Sequence, residues 1–167
     1  AGTVSDVSST LAGDVVLTNA GTYTLCDGTW SVNIDVEADV VLQSANGASV
    51  TTLDGAGAGT IVEVASGYSA TVDGFTLSDG SGDTLVTFGD GGGAIGCNSA
   101  TVTLSNSILN DNYGYFGGGI GSLDCDITVT DTSFDGNYGY YGGDLFVEDG
   151  LLDGTGIVST NSEAIYT

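Results

Sequence analysis

The chain is 167 residues long, enough for one domain with a continuous core, and carries 22 acidic residues against no Lys, Arg or His, a formal charge of −22. Nucleic acid and anionic membrane surfaces are excluded as partners, because phosphate recognition rests on cations that are absent here. Disorder is excluded as well, since 41% of the residues are hydrophobic, whereas chains unfolded by their own charge are poor in apolar residues.

The sequence opens at Ala1 rather than Met, which leads to the expectation of a mature chain after signal-peptide removal, extracellular and either secreted or held at the cell surface. Disulfides persist in that compartment. No apolar run approaches the ~20 residues of a membrane span, so no membrane insertion is expected. Residues 1–10 are polar and read as an extended assembly arm. Beyond them the apolar residues alternate instead of recurring at i, i+3 and i+4, and 29 glycines are spread throughout, so strands are expected and helices are not. The alternation is plain at Val32, Ile34 and Val36, at Val102 and Leu104, and at Ile127 and Val129. Gly, Asn, Asp and Ser clusters between these runs supply turn conformations. Cys26 falls early in the pattern and is expected either as a small buried apolar group or as a bridge between molecules, burial being the preferred reading.

Further along, Leu53-Asp54-Gly55 and Val72-Asp73-Gly74 read as equivalent points of successive repeats, and Val41-Leu42 and Ile61-Val62 as another such pair. Residues 79–93 read as a loop inserted into one repeat. Within it, Asp79-Gly80-Ser81-Gly82-Asp83-Thr84-Leu85 is similar to the calcium-binding repeat GGxGxDxUx, one residue short in spacing. Asp79, Asp83 and Asp90 are therefore candidate Ca²⁺ ligands, with Asp149 and Asp153 in similar Gly-rich surroundings. No other cofactor is expected. Salt or divalent cations should stabilise a chain that has no positive groups of its own.

From residue 92 the repeat becomes regular. Asn112-Tyr113-Gly114-Tyr115-Phe116-Gly117-Gly118 recurs as Asn137-Tyr138-Gly139-Tyr140-Tyr141-Gly142-Gly143, an offset of 25 at every position. The same offset carries Ile95 onto Ile120 and Leu145, Val102 onto Ile127, Leu104 onto Val129 and Leu109 onto Phe134. A fixed period in the twenties with several short strands is one coil of a solenoid, and the length allows about six coils. At the spacing of parallel strands this makes a rod on the order of 30 Å long.

Two resemblances point the same way. Ala12-Gly13-Asp14-Val15-Val16-Leu17 with Ala20-Gly21-Thr22-Tyr23-Thr24 resembles the opening coil of pectin-lyase-like proteins, and Thr71-Val72-Asp73-Gly74-Phe75-Thr76-Leu77 resembles their inner coils. Residues 92–145 are similar to the repeats of chlamydial-type polymorphic outer membrane proteins, marked by GGA before an aliphatic residue and by FxxN. Gly92-Gly93-Ala94-Ile95 and Phe134-Asp135-Gly136-Asn137 match these marks outright. The resemblances imply an all-β, right-handed parallel β-helix that spans residues 1–167 as one domain. They imply little about function, since this architecture hosts enzymes, adhesins and passenger domains alike.

No enzymatic activity is expected. Lyases of the resembled fold use an Arg or Lys base, and nucleophilic triads need a His or Lys, none of which exists here. Paired carboxylates could in principle hydrolyse a glycan, with Asp124 and Asp126 or Asp54 and Asp73 as the candidates, although Asp-Gly after an apolar residue is also ordinary turn chemistry. Thr101-Val102-Thr103 and Thr128-Val129-Thr130 place a Thr-x-Thr pattern on only two repeats, too few for a flat ice-binding face.

Asn112 and Asn137, continued by Asn161 with a one-residue slip, are expected to form a ladder of stacked amides. Tyr113 should lie over Tyr138, Tyr115 over Tyr140 and Phe116 over Tyr141, some of them in the core and the rest outside. Tyr113, Tyr115, Tyr138, Tyr140 and Tyr141 then form a strip for protein contact or for sugar stacking. Cys97 and Cys125 fall on adjacent repeats within three residues of register and are the candidate disulfide. Neither end of the stack shows a recognisable cap. The expected function is that of a homopolymer, the subunit of an extracellular filament or matrix with end-to-end contacts. Two alternatives are a monomeric adhesion module that grips glycan through the Tyr strip and calcium loops, and a carboxylate-dependent glycoside hydrolase.

Overall fold

The computed structural model describes residues 12–82 and 91–166, and every regular element among them is a β-strand. The first eight are β1 (Gly13–Leu17), β2 (Gly21–Leu25), β3 (Gly28–Val36), β4 (Val40–Ser44), β5 (Thr51–Asp54), β6 (Val62–Val64), β7 (Ser69–Asp73) and β8 (Thr76–Ser78). The next six are β9 (Ile95–Asn98), β10 (Thr101–Ser105), β11 (Ile108–Asn110), β12 (Tyr113–Phe116), β13 (Ile120–Leu123) and β14 (Asp126–Thr130). The last are β15 (Ser133–Asp135), β16 (Tyr138–Tyr141), β17 (Leu145–Glu148), β18 (Leu151–Thr155), β19 (Val158–Thr160) and β20 (Glu163–Tyr166).

The strands form three curled parallel sheets. The largest runs β17-β13-β9-β6-β3-β5-β8-β11-β15-β19 with β1 also on β3, the second runs β18-β14-β10-β7-β4-β2, and the smallest is β12-β16-β20. None of the described residues forms a helix long and apolar enough to cross a membrane.

Parallel pairing places equivalent side chains directly over one another, about 4.8 Å apart. The core is built from such columns. Leu42, Val72, Leu104 and Val129 stack in one sheet. Leu53, Leu77, Leu109 and Phe134 stack in another stretch, and Ile34, Val62, Ile95 and Ile120 in a third. All twelve are inaccessible to solvent, each contributing roughly 1.5–3 kcal/mol by burial.

Corners stack as faithfully as strands. Ser99, Asp124 and Asp149 lie 25 residues apart with φ of 50°, 56° and 53°; Asn106, Asp131 and Gly156 follow with 49°, 46° and 66°; Asp111, Gly136 and Asn161 with 55°, 66° and 55°. Left-handed backbone is strained for most residues but tolerated by Gly, Asn and Asp. Five of the 22 acidic residues, Asp79, Asp111, Asp124, Asp131 and Asp149, are thereby accounted for by backbone geometry. The ladder of hydrogen bonds continues around these corners, with Ser99 N donating to Leu123 O and Asp124 N to Glu148 O, 2.9 and 2.7 Å.

The register corrects several readings. Leu53 stacks on Leu77, not on Val72, which instead lies between Leu42 and Leu104. Val41-Leu42 and Ile61-Val62 likewise belong to different sheets, Leu42 pairing with Val72 and Val62 with Ile34. Upstream repeats vary in length, so matching tripeptides by eye misplaced them. Between β7 and β10 the offset is 32, Thr101 pairing with Ser69, against 25 between β10 and β14, and the seven additional residues lie between β8 and β9.

The amide column is also different from expectation at one end. Asn112 Nδ2 donates to Leu77 O and to Asn137 Oδ1, both at 3.0 Å, and Asn137 Nδ2 donates to Leu109 O at 2.9 Å and Asp144 Oδ1 at 3.0 Å. Ser162, not Asn161, holds the next position, since Tyr138 pairs with Glu163. Asn161 is a left-handed corner residue that donates to Asp135 instead.

The buried Asn137 anchors four hydrogen bonds, so Asn137→Leu should cost about 3 kcal/mol by stranding buried donors and acceptors. Urea unfolding at fixed salt checks this, and Asn161→Gly, at an exposed corner whose left-handed backbone glycine tolerates, should cost far less.

Candidate functional site

β12 and β16 present the aromatic residues. Their register is Tyr113 on Tyr138, Gly114 on Gly139 and Phe116 on Tyr141. The expectation that some of these rings enter the core is wrong: Tyr113 is exposed and Tyr115, Phe116, Tyr138, Tyr140 and Tyr141 are half-buried, whereas Gly114 and Gly139 are buried. The cause is the glycine tract beneath them. A Cβ built on Gly118 would come within 2.5 Å of Tyr138 N and of Gly143 O. Backbone packs on backbone here, and no interior volume exists for a ring to fill.

The rings order themselves on the outside. Tyr113 and Tyr138 stack with centroids 5.5 Å apart and planes 15° apart; for Tyr115 and Tyr140 the values are 5.0 Å and 4°, and for Phe116 and Tyr141 5.4 Å and 13°. Neighbours across columns meet nearly at right angles, Tyr115 to Phe116 at 88° and Tyr140 to Tyr141 at 76°. Phe146 of β17 closes one side, 4.9 Å from Phe116. This herringbone satisfies the ring quadrupoles internally. Each ring of a stacked pair turns one face to its partner in the adjacent layer.

Tyr113 also borders two acidic grooves. One, of about 580 Å³, is lined by Asp14, Asn33, Asp35, Glu63, Ser81 and Tyr113; the other, of about 570 Å³, by Asp54, Asp79, Asp111, Ser81 and Tyr113 among others. Asp35 pairs in register with Glu63. Partial desolvation by the sheet, then the charges of Asp14 and Glu37, raises the Asp35 carboxyl above its ordinary value. This acidic column was missed in the sequence because the offset from Asp35 to Glu63 is 28, outside the regular period. At a corner the opposite holds: hydrogen bonds from Asn161 and Thr160 lower the Asp135 carboxyl.

Of the candidate calcium ligands, Asp83 and Asp90 lie outside the described residues. Asp79 is a left-handed corner residue whose carbonyl accepts from Gly57 N at 2.7 Å. Asp149 is a corner residue too, and Asp153 is an exposed residue of β18. Among the described residues no three acidic or sulfur side chains converge as a metal site would require.

Nor do the carboxylate pairs form a catalytic centre as envisaged. Asp54 belongs to β5 and Asp73 to β7, strands of different sheets, and Asp73 accepts from Ser105 and Asn106 of the next repeat. Asp124 and Asp126 flank buried Cys125 at the rim of a groove with Asp39. Asp124 accepts from Ser99 Oγ there, a corner contact.

Cys97 and Cys125 are joined as a disulfide, Cα atoms 6.5 Å apart and both residues buried. Cys26 is exposed, against the expectation of burial. It follows buried Leu25 at the end of β2, so alternation turns it outward, and its carbonyl accepts from Trp30 Nε1 at 3.1 Å.

One inward carboxylate escaped notice. Ala94 and Gly119 are followed at the same register position by Asp144, which accepts from Asn137 Nδ2 and from the hydroxyls of Ser159 and Ser162. The repeat alignment contained the signal, since a residue type confined to small and apolar in two repeats becomes acidic in the third. Searches against protein-family models, curated proteins and solved structures return no match for this chain.

A carboxyl raised in the folded state favours folding while protonated and loses that advantage as pH rises through its folded value. Asp35→Asn should therefore raise the melting temperature at neutral pH and low salt. The gain should vanish below the ordinary carboxylate range and shrink in high salt; thermal melts across pH check both.

Proposed function

We propose that the chain is a right-handed parallel β-helix of the pectin-lyase-like kind, with about six coils, and that it serves outside the cell as a structural subunit stacking end to end into a filament or matrix. The observation that carries this reading is the group of exposed apolar side chains on and between β18 and β19. Leu151 is 70% exposed, Leu152 46%, Ile157 37% and Val158 57%. Leu152 sits in register on Ile127, which is 1% exposed. Leu152 thus extends a core column, whereas Leu151 and Val158 stand over Asp126 and Ser133 at outward positions, and the columns of Val129 and Phe134 end in Gly154 and Ser159.

Unpaired parallel edges with apolar columns behind them are templates for another strand layer. The second sheet has β18 at one end and β2 at the other; Tyr23 and Leu25 point inward from β2 and are buried, so the exposed apolar residues lie on the β18 side and β2 offers its backbone edge. Because all pairings run parallel, a copy displaced along the stack would meet β18 with β2 in the same sense as every internal pair. Such a head-to-tail contact is heterologous and does not close, which gives a fibre. Two chains of −22 repel one another, so contact requires screening by salt or divalent cations, with Ca²⁺ acting as a counterion. The buried disulfide supports an oxidising, extracellular setting.

Adhesion to glycan through the Tyr strip is the second reading. Sugar stacking uses an open ring face, and mutual stacking occupies one face of each ring, which favours protein contact at this strip. The proposed role assigns no catalysis to the acidic grooves.

In sedimentation at high salt the chain should give high-mass species that dissociate as salt is lowered. Leu152→Asp with Val158→Asp should yield a folded monomer under the same conditions. A sharp monomer of the unaltered chain at every salt concentration, with or without Ca²⁺, would overturn the filament, and glycan binding lost on Tyr115→Ala with Tyr140→Ala would promote the second reading.

A further inference from the structure

We propose that the tyrosine strip is a site of oxidative cross-linking, in which Tyr115 couples to Tyr140 and Tyr113 to Tyr138 through a carbon–carbon bond between rings. This goes beyond end-to-end stacking and does not depend on it. The geometry supplies the first argument. The two rings of each pair are nearly parallel, 5.0 and 5.5 Å between centroids, held by strands in fixed register. All four residues are at least partly exposed, so an oxidant can reach them and the rings can turn into bonding distance.

Composition supplies the second argument. The chain has no Met and no His, one Trp and eight Tyr. Trp30 lies on a different sheet, and Cys97 and Cys125 are already paired and buried. Outside Cys26 and Trp30, side chains that yield an electron easily are therefore tyrosines, and Tyr113, Tyr115, Tyr138, Tyr140 and Tyr141 are all in the strip. A hole formed on one ring has a second phenol beside it and few competitors.

The chemistry balances with hydrogen peroxide and a peroxidase as the oxidising system. Each phenol gives up one electron and its hydroxyl proton. The two phenoxyl radicals join through carbons ortho to oxygen, and the two ring hydrogens at the new bond move to the oxygens, restoring both hydroxyls and both aromatic rings. Two C–H bonds are lost and one C–C bond is formed. The two electrons and two protons reduce one peroxide to two waters. The product is a covalent staple between adjacent repeats, on a different sheet from the disulfide.

The test is treatment of dilute, full-length chain, in a Cys26→Ser background, with peroxidase and hydrogen peroxide. The expected result is dityrosine fluorescence on a chain of unchanged oligomeric state, lighter by two hydrogens per link. Cleavage at Asp, which is necessary because trypsin has no site, should release peptides joined at Tyr115–Tyr140 or Tyr113–Tyr138. Changing all four to Phe keeps the stacked rings and should reduce fluorescence to the level of untreated protein, whereas Tyr23→Phe with Tyr68→Phe should leave it unchanged. Links that form only between chains, or undiminished coupling in the fourfold Phe variant, would overturn the proposal.

Discussion

Register is the constraint from which the rest of this structure follows. Each strand lies parallel to its neighbour with equivalent residues opposed, so every position becomes a column and a column has one environment. The column Leu42–Val72–Leu104–Val129 stays apolar through four layers, and the recurring left-handed corners hold Gly, Asn or Asp at every position but Ser99. The buried amide column obeys the same logic, because each Asn oxygen accepts from the layer before and each nitrogen reaches toward its neighbours. Such a column is worth more whole than in part, since one missing member leaves its neighbours buried and unpartnered.

The same constraint clarifies the acidity. Asp79, Asp111, Asp124, Asp131 and Asp149 occupy left-handed corners; Asp124 accepts from Ser99 one layer away and Asp111 from its neighbour Asn110. These acidic residues are thus tied to backbone shape and to corner hydrogen bonds. What they cannot do is offset one another's charge. That role falls to solution ions, which makes ionic strength part of the folding problem for this chain and part of any association between copies.

How much of this was legible in the sequence depended on whether the period held. Residues 95–148 repeat at 25, and there the columns Ile95–Ile120–Leu145 and Leu109–Phe134, together with the stacked tyrosines, follow directly from alignment. Upstream, pairing offsets range from 19 for Gly21 on Val40 to 33 for Val64 on Cys97, and short motifs gave a false register. Cys26 was misjudged because residue type was weighed above strand parity. The outward placement of all the strip tyrosines was hidden for another reason: alternation counts faces, but only the packed glycine tract tells which face has no interior behind it. The acidic column at Asp35 and Glu63 required the three-dimensional register itself.

Asp144 shows how specificity is built into an end that is otherwise apolar. Leu151, Leu152, Ile157 and Val158 favour any cover that removes them from water. Asp144 stands where Ala94 and Gly119 stand in the two preceding layers, and its donors come from Asn137 and from Ser159 and Ser162 near the last strands. Covering that carboxylate with apolar atoms would cost more than several exposed aliphatic residues return. The carboxylate is held by Asn137, Ser159 and Ser162 beside exposed aliphatic residues, so a surface that buried both would have to leave it hydrated or bring donors to it.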